Sequence, residues 1–176
     1  MALKPTIYKA KIDLSLVDEN HYGMLNLTIA CHPSENKERM MARVLAYCLH
    51  APEEPEFTRG LCVNEEPDIW VKTLDDRIQT WIEIGEPAGD RIKKAVRGAG
   101  RVVTYSFNSK SQAWWDKERE KLVETGGEFF QFPWAQIQEL AAMVKRTMDL
   151  SITLSDNTFY ISAPDGNCEV EVRPLS

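Results

Sequence analysis

Two acidic residues stand in strand-like, apolar surroundings near the middle of the chain. Asp68 follows Pro67 and opens the run IWVK, and Glu83 stands between Ile82 and Ile84. Ionised carboxylates avoid apolar surroundings unless they are paired or bind a metal. If the two strands are neighbours, both carboxylates meet at one edge of the sheet. They could there hold a hard divalent cation, Mg²⁺ or Mn²⁺, and orient a water.

The helix that follows the second strand supplies basic residues to this edge. Lys93 and Lys94 come directly after Ile92, and a lysine close to the acids could stabilise negative charge that develops during catalysis. A simpler interpretation is that Asp68 caps the turn after Pro67 while Glu83 pairs with Lys93 or Lys94. On spacing alone, this structural interpretation is favoured over a catalytic one.

A third acid, Glu38, lies in a predicted helix upstream of the two strands. It precedes Met41 and Ala42 by about one helical turn, so it points near the core side. Glu38 could therefore join the same metal site. Alternatively it could pair with Arg39 or Arg43 on the helix surface, which is the favoured interpretation, whereas Glu35 in the first turn is explained by the helix dipole.

Composition and charge exclude several classes of protein. The 176 residues are 43% hydrophobic and 27% charged, with a net charge of −6, which argues against purely electrostatic binding to nucleic acid. A local basic cluster could still contact a phosphate backbone, although a solvated helix face is the more common explanation. Its members are Arg91, Lys93, Lys94, Arg97 and Arg101. The loop GEPAGD lacks the GxxxxGK[ST] spacing of a nucleotide-binding loop.

Cysteine usage and hydropathy predict a cytoplasmic protein that does not enter the membrane. The four cysteines are scattered without a CxxC motif, and the three histidines lack zinc-like spacing. We find no signal peptide and no apolar run of membrane-spanning length. Oligomeric state cannot be read from these features.

The order of predicted elements indicates one mixed α/β domain over residues 1–176. Alternating residues predict an antiparallel hairpin of strands 6–16 and 25–31, and Ser34 is the expected N-cap of a helix that runs to about residue 50. Strands are predicted at 68–72 and 78–84, followed by a crossover helix and by strand 101–107, which is parallel to strand 78–84. Helix 111–124, strand 128–132 and a helix from Pro133 with apolar positions through Met148 come next. The chain is predicted to end in an antiparallel meander that extends or covers the main sheet.

Several segments together resemble the YaeQ family over almost the full length, and least in the C-terminal meander. These segments are MALKPTIYKAKID, HPSENKERMMARVLA, FTRGLC, WIEIG, RIKKA and TYSFNS, and later WW and KRTM. The resemblance implies a restriction-endonuclease-like fold, similar to the PD-(D/E)XK nuclease superfamily. In that fold helices flank a mixed sheet, and metal ligands lie on its two central strands.

The same resemblance implies roles for individual residues. Asp68 takes the place of the first acid of the motif, Glu83 the second, and Glu38 the additional helical acid. The lysine of the motif would fall two residues after Glu83, where this chain has Gly85. In some members of the superfamily this lysine lies on the following helix, so Lys93 and Lys94 are the candidates, and Lys93 is preferred.

Two functions from different classes follow. The first is a nuclease that depends on Mg²⁺ or Mn²⁺, with Asp68, Glu83, Glu38 and a lysine in its site. The second is a nuclease-like fold without catalysis, which binds partners or regulates in nucleic-acid handling or transcription. Gly85, the acidic net charge and the lack of a substrate signature motivate the second, which is the alternative to the nuclease.

Overall fold

The computed structural model describes residues 4–176, which form four α-helices, two short 3₁₀ helices (Ala51–Glu53 and Gly60–Cys62) and eleven strands. The helices are α1 Lys37–Leu49, α2 Gly89–Gly98, α3 Ser111–Glu124 and α4 Trp134–Ala141. The strands are β1 Thr6–Leu16, β2 His21–Cys31, β3 Glu56–Phe57, β4 Ile69–Lys72, β5 Ile78–Ile84, β6 Ala99–Ser106, β7 Glu128–Gln131, β8 Thr147–Ser155, β9 Thr158–Ala163, β10 Gly166–Glu171 and β11 Arg173–Pro174.

The strands form two mixed sheets, which confirms the mixed α/β class. The main sheet has the order β11-β7-β6-β5-β4-β3, and the second sheet has the order β10-β9-β8-β1-β2. The crossover through α2 makes β5 and β6 parallel, as predicted. The C-terminal meander covers the main sheet, since Phe159 and Ile161 share a core with Ile82, and only the two-residue strand β11 at its end extends that sheet by pairing with β7. Its first strand, β8, pairs in parallel with β1 and so joins the N-terminal hairpin in the second sheet.

A shared apolar core lies between the sheets and around α1. Ile12 and Leu14 of β1, Ile82 of β5 and Leu45 of α1 are fully buried in it. This burial follows from the alternation of β1 and the apolar stripe of α1. The opposite face of the main sheet packs a smaller core against α2 and α3, and Trp81 belongs to this core. The two faces of β5 therefore contact different helices, which decides where Glu83 points.

Two local predictions are wrong. Asn36, not Ser34, caps α1, because its side chain accepts a hydrogen bond of 2.8 Å from the Arg39 N–H. Helix α4 ends at Ala141, and Met148 lies in β8 instead of continuing the helical stripe. The sequence has no glycine or proline at this end, and apolar residues continue at helical spacing as far as Met148, so the prediction made the helix too long.

None of the helices in residues 4–176 is long and apolar enough to cross a bilayer.

Candidate functional site

Asp68 and Glu83 lie on adjacent segments of the main sheet, at the same end of it. Ile69 pairs with Ile82 across β4 and β5, so Asp68 and Glu83 are the next residues along this antiparallel ladder. The backbone N–H of Asp68 donates to the Ile82 carbonyl at 3.2 Å. Both acids are buried, with exposed fractions of 3% for Asp68 and 6% for Glu83. The two buried acids are therefore neighbours, as the sequence suggested.

The carboxylate of Asp68 is fully engaged by groups of the protein. Its Oδ1 accepts a hydrogen bond from Nη2 of Arg39 at 2.6 Å, and its Oδ2 accepts one from the backbone N–H of Ile84 at 2.8 Å. The same Nη2 of Arg39 also donates to the Ile84 carbonyl at 3.2 Å. One guanidinium nitrogen thus contacts both a carboxylate oxygen and a backbone oxygen at the end of β5.

Arg39 belongs to a buried network that begins just before α1. Its Nη1 donates to Glu35 Oε2 at 2.6 Å, and Arg43 donates to both oxygens of Glu35, from Nη2 at 2.6 Å and from Nε at 2.8 Å. The side chain of Glu35 is only 2% exposed. We call Glu35, Arg39, Arg43 and Asp68 the α1 arginine network. Within it two arginines balance two carboxylates, which buried charges require.

Glu83 points to the other face of the sheet, toward α2. Its Oε2 accepts hydrogen bonds from the indole N–H of Trp81 and from Nε of Arg91, each at 2.9 Å. Burial raises the pKa of Glu83 above its usual range, and the negative charge of nearby Asp68 adds to this rise. The hydrogen bond from Arg91 acts in the opposite direction. Arg91 is therefore the main group that favours ionised Glu83, and the indole N–H of Trp81 acts in the same direction.

Arg91 also ties α2 to the loop that precedes β4. Its Nη1 donates to the Asn64 carbonyl at 2.7 Å, and its Nη2 donates to the Glu66 carbonyl at 3.1 Å. All three nitrogens of this guanidinium are thus used inside the protein. Arg91 consequently positions Glu83, the loop and α2 relative to one another.

The other predicted site residues lie outside these contacts. Lys93 and Lys94 are exposed on α2, and the ion pair that was assigned to one of them is made by Arg91. Glu38 is partly exposed on α1, while Arg39 and Arg43, its suggested partners, pair with Glu35. The interpretation of Glu35 as a simple dipole residue is therefore incomplete. The four-residue spacing of Glu35, Arg39 and Arg43 was the signal for the network.

The backbone conformation at position 85 explains why this position holds a glycine instead of the expected lysine. Its φ is +123°, a conformation that residues with a Cβ rarely adopt. The N–H of Gly85 donates to the Tyr105 carbonyl of β6 at 2.9 Å, which fixes this geometry at the end of β5. A lysine at position 85 would therefore be strained even though there is open space for its Cβ.

The donors around the acids do not fit a divalent cation in this arrangement. Within residues 4–176, no three His, Cys, Asp or Glu side chains are grouped to hold a metal ion. Arg39 already contacts Asp68 and the Ile84 carbonyl, and Arg91 contacts Glu83. A cation at either acid would have to displace a guanidinium. The assignment of Glu38, Asp68 and Glu83 as metal ligands stays a prediction.

Replacing Arg91 by glutamine should raise the pKa of Glu83 further. The change removes the guanidinium that stabilises the charged carboxylate, while the burial that raises the pKa remains. The measurement is a ¹³C NMR titration of the Glu83 carboxyl. Lys94→Gln removes an exposed positive charge three residues along the same helix and serves as the matched control. An equal response of Glu83 to both substitutions would contradict the assigned role of Arg91.

Comparison with known proteins identifies relatives that match almost the whole chain. The family described as "YaeQ protein" matches residues 1–172. The YaeQ protein of Escherichia coli K12 is 39% identical over 174 residues, which cover 98% of this chain and 96% of that protein. YaeQ of Salmonella typhi is 37% identical over the same lengths.

Two solved structures share the fold. The crystal structure of YaeQ from Xanthomonas axonopodis pv. citri superposes with a TM-score of 0.93 at 27% identity and covers 98% of each chain. YaeQ from Pseudomonas syringae gives a TM-score of 0.88 at 31% identity, covering 98% of this chain and 96% of that one. The names of these relatives state no activity, ligand or partner.

Proposed function

The chain belongs to the YaeQ family, and we propose that it is a nuclease-like module that binds nucleic acid without cleaving it. The position of Arg39 carries this proposal. Its Nη2 lies 2.6 Å from Asp68 Oδ1 and 3.2 Å from the Ile84 carbonyl, so the protein supplies its own cation beside the first acid. Arg91 does the same for Glu83. Both acids then stabilise the sheet end instead of coordinating a metal.

Within residues 4–176 the salt bridges of both acids are made by arginine and not by lysine, which supports the same proposal. Position 85 has a backbone suited to glycine, and Lys93 and Lys94 are exposed to solvent. A phosphodiester hydrolase of this type needs a cation to neutralise charge and to activate water. With guanidinium groups in ion pairs at both acids, neither acid is available for that task.

Helix α2 offers the surface for nucleic acid. Lys93, Lys94 and Arg97 are all exposed and lie within five residues of one another, in a chain whose net charge is −6. Contacts of such side chains with phosphates position a nucleic acid without reading its sequence. We expect weak binding that depends strongly on salt, because the rest of the surface is acidic. We also expect a cytoplasmic protein, whose four cysteines are free thiols.

Binding and cleavage can be measured on the same samples. Fluorescence anisotropy with labelled single-stranded RNA, single-stranded DNA and duplex DNA should show binding in low salt. The triple substitution Lys93→Gln, Lys94→Gln and Arg97→Gln should weaken binding and reduce the slope of log K against log salt by about 2–3. The matched control replaces Lys4, Lys9 and Lys11, three exposed lysines at and before β1. Equal losses in both variants, or no binding by wild type, would refute the assigned surface.

The competing proposal is a nuclease that depends on Mg²⁺ or Mn²⁺. Its specific support is that Asp68 and Glu83 are buried neighbours on β4 and β5, close enough for the charge of Asp68 to raise the pKa of Glu83. On this proposal Glu38, Lys93 or Lys94 would contribute to a site that forms only when metal and substrate are bound. Metal-binding and cleavage assays distinguish this proposal from the non-catalytic one.

Metal titration separates the two proposals. The non-catalytic proposal expects no heat from Mn²⁺ in calorimetry and equal residual cleavage by wild type and Glu83→Gln with Mg²⁺ or Mn²⁺. The nuclease proposal expects cleavage that Glu83→Gln abolishes and Mn²⁺ binding that Asp68→Asn abolishes. Cleavage that is lost in Glu83→Gln would overturn our preferred function.

A further inference from the structure

A cavity between the two sheets is separate from the acid network. It has a volume of about 410 Å³ and is lined by the end of α1, β6, β7 and the ends of β1 and β8. It shares no lining residue with the α1 arginine network or with Glu83 and its partners. Its size lies within the range of roughly 300–1,000 Å³ that is typical of small-molecule sites.

A hydrogen-bonded chain of three side chains forms one wall of this cavity. The Nδ1 of His50 lies 2.5 Å from Glu53 Oε2, and the Nε2 of His50 lies 2.7 Å from the hydroxyl oxygen of Tyr105. The His50 side chain is 4% exposed, and burial lowers its pKa, so the imidazole is neutral at pH 7. Since the carboxylate of Glu53 can only accept, Nδ1 carries the proton and Nε2 accepts from the hydroxyl of Tyr105.

This assignment fixes what the wall can offer to a ligand. The hydroxyl group of Tyr105 donates its proton in the hydrogen bond to Nε2 of His50. Burial raises the pKa of Tyr105, so the phenol stays protonated. The Tyr105 oxygen is thus left as an acceptor. Glu53 is also an acceptor: its Oε1 accepts a long hydrogen bond of 3.3 Å from the Thr80 hydroxyl and lies 3.8 Å from Nη1 of Arg101. The Glu53 side chain is 29% exposed, so its carboxylate can accept a further hydrogen bond from the cavity side. Both polar groups of this wall therefore accept hydrogen bonds from a ligand and donate none.

The other residues that line the cavity add negative charge and apolar surface. Asp18 and Glu19 add two carboxylates at the mouth of the cavity. Arg101 is the only arginine or lysine among the described residues of the lining; its Nε and Nη2 bind Glu128 at 2.5 and 3.0 Å, and its Nη1 lies 3.8 Å from Glu53 Oε1. Apolar side chains from both sheets, from the end of α1 and from the segment after β10 form most of the remaining wall: Leu16, Leu49, Phe130, Leu154 and Val172. The cavity therefore combines acceptors and negative charge at one side with apolar surface at the other.

We propose that this cavity binds a small organic amine. The ammonium group donates to Glu53 and to the oxygen of Tyr105, and the carboxylates of Asp18 and Glu19 attract it to the mouth. The alkyl or aryl part of the amine packs against the apolar wall between the sheets. His50 holds Tyr105 and Glu53 in position through its two ring nitrogens, so it is a positioning residue.

Calorimetry and NMR with 2-phenylethylamine test this site. The amine should bind at least about tenfold more tightly than 2-phenylethanol, which has the same shape without the charge. The amine should shift the His50 ring signals and the Tyr105 ring signals, and it should not shift those of residues near Asp68. Equal affinity for the alcohol, or no shift of His50 at about 5 mM amine, a level that detects Kd values near 1 mM, would overturn the proposal.

Two substitutions locate the binding. Leu154→Trp fills the cavity at a position that is only partly buried, and it should abolish the shifts without unfolding the protein. Glu19→Gln removes one exposed carboxylate at the mouth and should weaken amine binding several-fold at low salt. Asp149→Asn makes the same charge change on the exposed face of β8, away from the cavity, and should have no effect. Binding that survives Leu154→Trp unchanged would place the amine elsewhere and refute the inference.

Discussion

Replacing Glu35 by alanine should lower the free energy of unfolding by about 3–5 kcal/mol. Glu35 is the shared acceptor of Arg39 and Arg43, and its side chain is 2% exposed. Its loss leaves two guanidinium groups short of their partner in a buried setting, whereas the transfer energy of the missing methylenes is small. Urea denaturation followed by circular dichroism measures the change.

Glu38 provides the matched control for this prediction. It lies on the same helix, is partly exposed and is not the partner of Arg39 or Arg43. Glu38→Ala should therefore change the stability by no more than about 0.5 kcal/mol. If both substitutions had the same effect, the α1 arginine network would not be a source of stability.

Asp68→Ala should cost a comparable amount, about 3–5 kcal/mol, because Arg39 and the N–H of Ile84 both lose an acceptor. The predicted loss comes from the ion pair, so it should be coupled to Arg39. A double-mutant cycle with Arg39→Ala should give an interaction energy of about 1–3 kcal/mol. Additive effects would show that the two side chains do not stabilise the fold together.

The turn between β4 and β5 supplies a surface pair for comparison. Arg77 and Asp75 form an ion pair of 2.8 Å, with side chains that are 79% and 60% exposed. The same cycle with Asp75→Ala and Arg77→Ala should give about 0–1 kcal/mol, because solvent screens the pair. The difference between the two cycles isolates the effect of burial from that of the ion pair itself.

The sequence predicted the local elements better than their partners in space. The alternation of apolar and polar residues was sufficient to predict the β1–β2 hairpin. The helix between two apolar runs was sufficient to predict that β5 and β6 pair in parallel. The second sheet was not predicted, because the pairing of β1 with β8 joins segments from opposite ends of the chain. No local pattern encodes such a contact.

For the candidate site, too, the sequence identified the residues but not their partners in space. Asp68 and Glu83 were identified because acids next to buried isoleucines need a partner. The partners themselves were missed: Arg39 reaches Asp68 from a helix 29 residues upstream, and Arg91 was grouped with solvated lysines. A lysine and an arginine on the same helix face look equivalent in a charge pattern. Only the tertiary arrangement shows that Arg91 has three acceptors to satisfy.

The parallel pairing of β1 with β8 also affects how the protein is made. Because β8 lies far downstream, the ribosome releases the N-terminal hairpin long before the strand that borders β1 exists. During that interval one edge of β1 exposes free N–H and C=O groups, which are a template for pairing with other chains. Contacts between distant segments also slow folding. This topology therefore leaves an edge of β1 open to pairing with other chains until β8 has been synthesised.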